Sequence, residues 1–162
     1  MKKMILSVIA AIGCIAITAA EIPMKLNPIR DPETKAINTT IAPDGVITVD
    51  NKTGKSGGVN CQVNINQTEP AKIILSGESI CLESITKSRQ AHDYSLYIDL
   101  TYMDGTKKYG QMTPFSTEVK EWQKKSVEFM PEKAVKQLRI YILYRFQTGK
   151  VQFKNLKLEE IK

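Results

Sequence analysis

With 162 residues, 42% of them hydrophobic, the chain can form one domain with a buried core, and it is too short for several domains. The formal net charge of +6 is modest, and the lysines are scattered along the chain and do not form a basic patch with interleaved aromatic residues. Together with the export signal described next, this pattern disfavours nucleic acid as a partner.

The N-terminus has the three parts of a secretory signal peptide. Two lysines at positions 2 and 3 are followed by an apolar stretch to Ile17, and small residues precede Glu21. The apolar stretch is too short and wrongly flanked for a stable transmembrane helix. We therefore predict a cleaved signal peptide over 1–20, and a bacterial protein that is secreted, periplasmic or held at the cell surface without a transmembrane segment.

Cys14 leaves a second outcome open for this leader. It ends the sequence Ala-Ile-Gly-Cys, a weak form of the box in which bacterial lipoproteins are lipidated. More apolar residues follow Cys14, where a lipoprotein normally has a polar linker. Lipidation at Cys14 is thus the alternative to simple cleavage.

Residues 21–42 are predicted to be an extended segment along an edge of the fold. Pro23, Pro28 and Pro32 exclude both a helix and a central strand. One short strand fits near Met24–Leu26. The turn sequence Pro-Asp-Gly at 43–45 then begins the main domain, which we place at 43–162.

Alternation of apolar and polar residues dominates that domain. A period of two puts successive side chains on opposite faces of a strand, and no stretch sustains the 3.6-residue period of a helix. With one strand in the N-terminal segment, about nine short strands are predicted; those of the domain lie near 46–50, 59–66, 71–83, 94–101, 107–115, 122–129, 138–145 and 150–158. This pattern is typical of an all-β protein, a β-sandwich of two antiparallel sheets.

Three local features qualify this assignment. Ser76-Gly77 is predicted to mark a bulge or bend in its strand. Residues 131–135 form a connector that could hold one helical turn, and Thr148-Gly149 is predicted to be a turn.

Two cysteines, Cys61 and Cys81, remain after the leader is removed. If 59–66 and 71–82 form a hairpin, Cys61 lies opposite residue 76 and not opposite Cys81. A disulfide would then need a strand crossing elsewhere in the sandwich, so both a disulfide and two buried free thiols stay open.

The strands beginning at 94 and 138 have one apolar face and one polar face. Leu96, Ile98, Leu100, Leu138, Ile140 and Ile142 are predicted to face the core. The opposite face carries Tyr97, Asp99 and Thr101 on the first strand, and Arg139, Tyr141, Leu143 and Arg145 on the second. This polar face is the most plausible binding surface of the chain.

Catalytic patterns are missing from the sequence. The only histidine, His92, lies in a polar loop where a solvated role is expected. No metalloprotease helix motif, CxxC pair, P-loop or dinucleotide-binding glycine motif occurs. We predict that the protein is not an enzyme, with a carboxylate-dependent hydrolase as the least favoured alternative.

Residues from about 73 to 160 resemble the jelly-roll carbohydrate-binding modules of the galactose-binding-like superfamily, which accompany secreted glycoside hydrolases. The segments that carry the resemblance are Ile74-Leu-Ser-Gly-Glu-Ser, the run from Tyr94 to the Asp-Gly turn at 104–105, Pro114-Phe115, Glu121-Trp122-Gln123, Phe129-Met-Pro and the closing run 149–158. They cover a little over half of the chain and are specific only in combination.

The resemblance implies a non-catalytic, sugar-binding sandwich. Such modules stack a sugar ring on an aromatic side chain and hydrogen-bond its hydroxyls with planar polar groups. The residues predicted to bind an oligo- or polysaccharide are Tyr97, Asp99, Arg139, Tyr141 and Arg145, with Tyr109, Gln111 and Gln152 as further candidates. Trp122 is instead expected to pack at the start of its strand.

Family members commonly end in Phe-Asp-Asp-Val, where an Asp helps to hold a structural calcium ion. Here the residues are Phe153-Lys-Asn-Leu, in which Lys154 places a positive charge beside the oxygen of Asn155. We therefore predict no cofactor, and calcium is the weakest part of the resemblance. A structural or adhesion domain of the same fold, with its polar face covered, remains the alternative function.

Overall fold

A computed structural model describes residues 18–162 of the chain. They form a jelly-roll β-sandwich of two antiparallel sheets, as predicted. The strands are β1 (Ala19–Glu21), β2 (Asn27–Pro28), β3 (Thr39–Ile41), β4 (Ile47–Asn51), β5 (Gly58–Asn64), β6 (Lys72–Thr86), β7 (Tyr94–Tyr102), β8 (Lys107–Pro114), β9 (Gln123–Phe129), β10 (Val135–Tyr144) and β11 (Thr148–Ile161). The only helix in this part of the chain is one 3₁₀ turn at Ala91–Asp93.

The two sheets differ in strand order. The first has six strands in the order β3-β4-β11-β6-β9, and β1 also pairs with β11. The second has five strands in the order β2-β5-β10-β7-β8. Every strand neighbour along both paths is antiparallel. The strand pair that carries the predicted polar face, β7 and β10, lies side by side in the five-stranded sheet.

The core lies between the sheets, and alternation along the strands builds it. All six residues predicted to face inward from β7 and β10 are buried, with exposures of 0–2%. Tyr94, Phe115, Tyr144 and Phe153 add an aromatic cluster with ring centroids 5.3–5.9 Å apart. Burial of these apolar side chains is the main favourable contribution to folding.

The strands predicted for the main domain are present, with ends shifted by a few residues. The connector at 131–135 contains no helical turn. The turn predicted at Thr148-Gly149 lies earlier, because Phe146 takes the left-handed conformation (φ 54°) and Thr148 already belongs to β11.

The hairpin considered for 59–66 and 71–82 does not form. β5 belongs to the five-stranded sheet, whereas β6 belongs to the six-stranded sheet, so the connection between them crosses the sandwich. Cys61 and Cys81 are both buried as free thiols. Desolvation raises the pKa of the Cys61 thiol to about 11, which keeps it protonated and unreactive at neutral pH.

The irregularity predicted at Ser76-Gly77 lies mainly on the strand opposite. The β6–β11 register shifts between Lys154 and Lys157, so the extra residue belongs to β11. Asn155 has φ 52°, and the Leu156 side chain occupies the space beside Gly77 where a Cβ would lie, at 2.5 Å. The bulge therefore bends β11 over a glycine.

The N-terminal segment follows sheet edges, as predicted, but its strands differ from the one expected near 24–26. β1 pairs with β11 at the edge of one sheet, and β2 pairs with β5 at the edge of the other. Between them Ile22, Met24 and Leu26 are partly buried against the core. The segment thus closes one open side of the sandwich.

Candidate functional site

The register of β7 and β10 arranges the predicted site residues in rows. Tyr141 lies opposite Tyr97, and Arg139 lies opposite Asp99. Because directly opposed residues of an antiparallel pair share a face, all four side chains lie on the outer face of the five-stranded sheet. The sequence prediction that they share one face is confirmed by this register.

The two tyrosines form an aromatic pair on this face. Their ring centroids are 5.9 Å apart and the rings are inclined at 72°, an edge-to-face arrangement. Both side chains are only partly buried. Partial burial, and next the charge of the Asp99 carboxylate, raise the pKa of the Tyr97 hydroxyl above its ordinary value, so this hydroxyl stays neutral and can donate or accept a hydrogen bond.

Two depressions lie side by side on the same face. One, of about 180 Å³, is lined by Tyr97, Asp99, Tyr141, Leu143 and Arg145. The other, of about 230 Å³, is lined by Asp99, Leu100, Thr101, Lys107, Tyr109, Gln137 and Arg139. Asp99 lines both, so they adjoin at its side chain, and together they form what we call the sheet-face groove.

Asp99 lies at the centre of the groove. Its Oδ1 accepts a hydrogen bond from the backbone N–H of Gly110 at 3.1 Å. This bond crosses from β7 to β8 at the point where their register shifts. The bulge on β8 therefore orients the carboxylate and places the neighbouring Tyr109 ring, 63% exposed, at the side of the groove.

Arg145 is positioned by a buried carboxylate. Its Nε donates to Asp93 Oδ1 at 2.9 Å, and the Asp93 side chain is 1% exposed. Ser88 Oγ donates to the other Asp93 oxygen at 2.5 Å. The Arg145 side chain is 31% exposed and lines the groove, and its position is fixed by the bond from Nε to Asp93.

Of the further candidates, only Tyr109 lines the groove. Gln111 lies opposite the inward-facing Ile98, so it points to the other side of β8. The prediction for Gln152 is wrong, because β11 belongs to the other sheet and Gln152 Nε2 donates to Thr48 Oγ1 there.

Sequence reasoning missed several polar residues on the same face. Asn60, Gln62 and Asn64 of β5 lie opposite Tyr141, Arg139 and Gln137 respectively. Gln137 Nε2 donates to Asn64 Oδ1 at 2.7 Å, which extends the polar surface by one strand. Their outward alternation was visible in the sequence, but the pairing of β5 with β10 was not.

A scan against protein-family models gave no match, and neither did a search of curated proteins. Among solved structures, the xylan-binding module CBM15 superimposes with a TM-score of 0.53 at 12% identity, over 90% of this chain and 97% of the module. The chain shares its jelly-roll fold with this module.

A second match places the same fold within an enzyme chain. Xylanase 10C from Cellvibrio japonicus, an E385A mutant in complex with xylopentaose, gives a TM-score of 0.54 at 13% identity. The match covers 87% of this chain but only 28% of the xylanase chain. The identities are low, so these comparisons establish the fold and nothing finer.

The residues present do not fit the calcium ion that the resemblance implied. Glu78 is the carboxylate beside the bulge, and it already accepts a hydrogen bond from Asn155 Nδ2 at 3.0 Å. Lys154 Nζ lies 3.6 Å from the same carboxylate. An ammonium group therefore takes the place that a cation would need, and no group of three or more His, Cys, Asp or Glu side chains suited to a metal occurs within 18–162.

Trp122 departs from its predicted packing role. It precedes β9 and is 38% exposed, and Lys154 Nζ lies 3.9 Å from its ring centroid. The ring makes a cation–π contact at the surface of the six-stranded sheet, away from the sheet-face groove.

The N-terminal segment does not lie over the groove in the described part of the chain. Its strands pair at sheet edges, and its apolar residues cover the core between the sheets. The alternative function expected the polar face to be covered, and the described part of this segment does not cover it. Within residues 18–162, no helix is long and apolar enough to cross a membrane.

Proposed function

We propose that the protein is a secreted, non-catalytic carbohydrate-binding module that binds an oligo- or polysaccharide in the sheet-face groove. The observation that carries this proposal is the open row of Tyr97 and Tyr141 beside Asp99 and Arg139. Partly exposed aromatic rings can stack on the C–H face of a sugar, and the planar polar groups can hydrogen-bond its hydroxyls.

The groove supports binding more than catalysis. Asp99 is the only acidic residue among the described residues that line the two depressions. Hydrolysis of a glycosidic bond by the common mechanisms needs two carboxyl groups flanking the bond. A single carboxylate hydrogen-bonded to a backbone N–H is suited to accepting hydrogen bonds from sugar hydroxyls.

Xylan is the first ligand to test. The module that matches over nearly its whole length is described as xylan-binding, and the matching xylanase chain holds xylopentaose. We extend this to the present chain as a proposal, with secreted glycoside hydrolases as functional partners. Export would follow from the predicted signal peptide over 1–20 or, as the alternative, from lipidation at Cys14.

The experiment is a binding measurement on an array of plant, algal and host glycans, followed by calorimetry with the glycan that binds best. Tyr97→Ala and Tyr141→Ala are each expected to weaken binding about tenfold, because each removes a stacking surface. Their rings contact each other, so the double variant is expected to lose less than the product of the two single effects.

Trp122→Ala is the control, since it removes an exposed aromatic ring at the other sheet. Its affinity should equal that of the wild type. If the wild type binds no glycan, the proposed function is wrong and a structural or adhesion role takes its place. If Trp122→Ala alone abolishes binding, the protein binds sugar but the groove is not the site.

A further inference from the structure

We propose that the sheet-face groove selects glycans that carry carboxylate groups, that is, polysaccharides with uronic acid residues. This inference rests on the proposed function and specifies the chemical class of its ligand. It is carried by two cationic side chains, Lys107 and Arg139, that line one depression together with Asp99 and Tyr109.

Both cations are available to a ligand. Arg139 and Lys107 are exposed, and neither forms an ion pair with any residue between 18 and 162. The adjacent Lys108 shows the contrast, because it points away from the groove and forms an ion pair with Glu132 at 2.5 Å. The groove therefore keeps positive charge that the neighbouring surface neutralises.

The one acidic residue in the groove does not cancel this charge. Asp99 is the cross-strand neighbour of Arg139, yet its carboxylate is oriented by the Gly110 N–H and forms no ion pair within the described chain. Arg145, at the other end, is compensated by the buried Asp93. The depression thus holds two cations without an ion-pair partner, Lys107 and Arg139, and one carboxylate, Asp99.

The arrangement separates two kinds of sugar group. A carboxylate on the ligand can accept charge-assisted hydrogen bonds from Arg139, whose planar guanidinium matches it, and from Lys107 in the same depression. Hydroxyls of the same sugar can donate to Asp99, while Tyr97 and Tyr141 offer their rings to the uncharged backbone. A neutral glycan would leave the two cations without partners.

The test compares one polymer in two states. The full chain is titrated by calorimetry with a xylan bearing glucuronic acid branches, and with the same xylan after its carboxyl groups have been reduced to alcohols. Polygalacturonate and its reduced form make a second pair. We expect binding of at least one acidic form to be about fivefold tighter or more than binding of its reduced form.

Salt and substitutions identify the source of the preference. Raising the salt concentration from about 0.1 M to about 1 M should shrink the difference, because charge interactions at exposed sites are screened. Arg139→Gln and Lys107→Gln should each reduce it, because each weakens binding of the acidic polymer more than binding of the reduced polymer. Lys125→Gln, the same charge change on exposed β9 of the other sheet, should leave the preference intact.

The outcomes are distinct for the two proposals. Equal affinity for the acidic and reduced polymers overturns the carboxylate inference and leaves the proposed function standing. Equally tight binding of dextran sulfate also overturns it, because the groove would then act as a cationic surface that binds any polyanion. If the protein binds neither of the two acidic polymers and neither of their reduced forms, the inference is overturned. The ligand of the proposed function is then a different glycan.

Discussion

Asp93 is the residue on which the end of the groove depends. It is buried at the 3₁₀ turn before β7, and its backbone carbonyl accepts hydrogen bonds from the Arg145 N–H and from Gln147 Nε2. Its carboxylate also bonds Arg145 and Ser88. A single residue therefore joins the loop before β7 to the loop after β10.

Replacing Asp93 by asparagine should lower the free energy of unfolding by about 1–2 kcal/mol. The change removes the partner charge of Arg145, and this arginine remains partly exposed, so water compensates part of the loss. Urea unfolding of the variant measures the effect.

Asp99→Asn is the matched control, because Asp99 forms no ion pair in the described chain and an amide oxygen can still accept from Gly110. It should change stability by less than about 0.5 kcal/mol. Equal destabilisation by the two variants would show that the Asp93–Arg145 pair has no special structural role.

At the level of single residues, the polar face was predictable from the sequence and its partners were not. Alternation alone placed Tyr97 and Asp99 on the side opposite the core, because the pleat makes side-chain direction a local property. The bulge that lets Gly110 bond Asp99 depends on the register between β7 and β8, and the salt bridge that positions Arg145 joins residues far apart in the chain. No local pattern reports them.

At the level of whole strands, the pairing of β5 with β10 places the polar residues of β5 on the same sheet face as the groove. Gly58 begins β5 opposite Leu143, with φ 116°. A Cβ at this position would lie 2.0 Å from the Ile142 carbonyl oxygen, a backbone atom that cannot rotate away. Only a glycine allows the two strands to approach this closely.

Gly58→Ala should therefore destabilise the fold by about 3 kcal/mol or more, through both the contact and the backbone conformation. Gly105→Ala is the control: Gly105 also has a positive φ, 84°, but no atom lies within 4 Å of the position that a Cβ would take there. Its cost should be about 1–2 kcal/mol. Comparable losses in urea unfolding would mean that the strand contact at Gly58 relaxes easily.

The main errors made from sequence concern which strands are neighbours. One error is the hairpin considered for 59–66 and 71–82, whose strands lie in different sheets. The other is the placement of Gln152 beside the groove, because its strand, β11, lies in the six-stranded sheet. Adjacent strands in sequence often pair, but β5 and β6 belong to different sheets because each buries its apolar face against the other sheet. Side-chain direction is encoded locally, whereas sheet membership is a property of the whole core.

At the scale of the molecule, the N-terminal segment contributes to the stability of the sandwich. Ile22, Met24 and Leu26 are partly buried against the core, while Pro23 and Lys25 between them are exposed. The backbone N–H of Ile22 donates to the Leu158 carbonyl at 2.9 Å. These contacts begin after residue 20. Of the contacts described for residues 18–20, cleavage of the predicted signal peptide would remove exposed pairings of β1 and the backbone bonds between Thr18 and Lys162.

The combined substitution of Ile22, Met24 and Leu26 by serine should therefore lower the free energy of unfolding by about 3 kcal/mol or more. The loss arises because partly buried apolar surface becomes polar at the open side between the sheets. Replacing Pro23 and Lys25 by serine in the same segment should cost less than about 1 kcal/mol, since both point to solvent. If both sets of substitutions leave urea unfolding unchanged, residues 22–26 do not contribute to the stability of the sandwich. A large loss confined to the first set would instead show that the folding unit extends back to Ile22. The glycan affinity of that variant would then fall because less of the protein is folded, and not because a contact in the groove is lost.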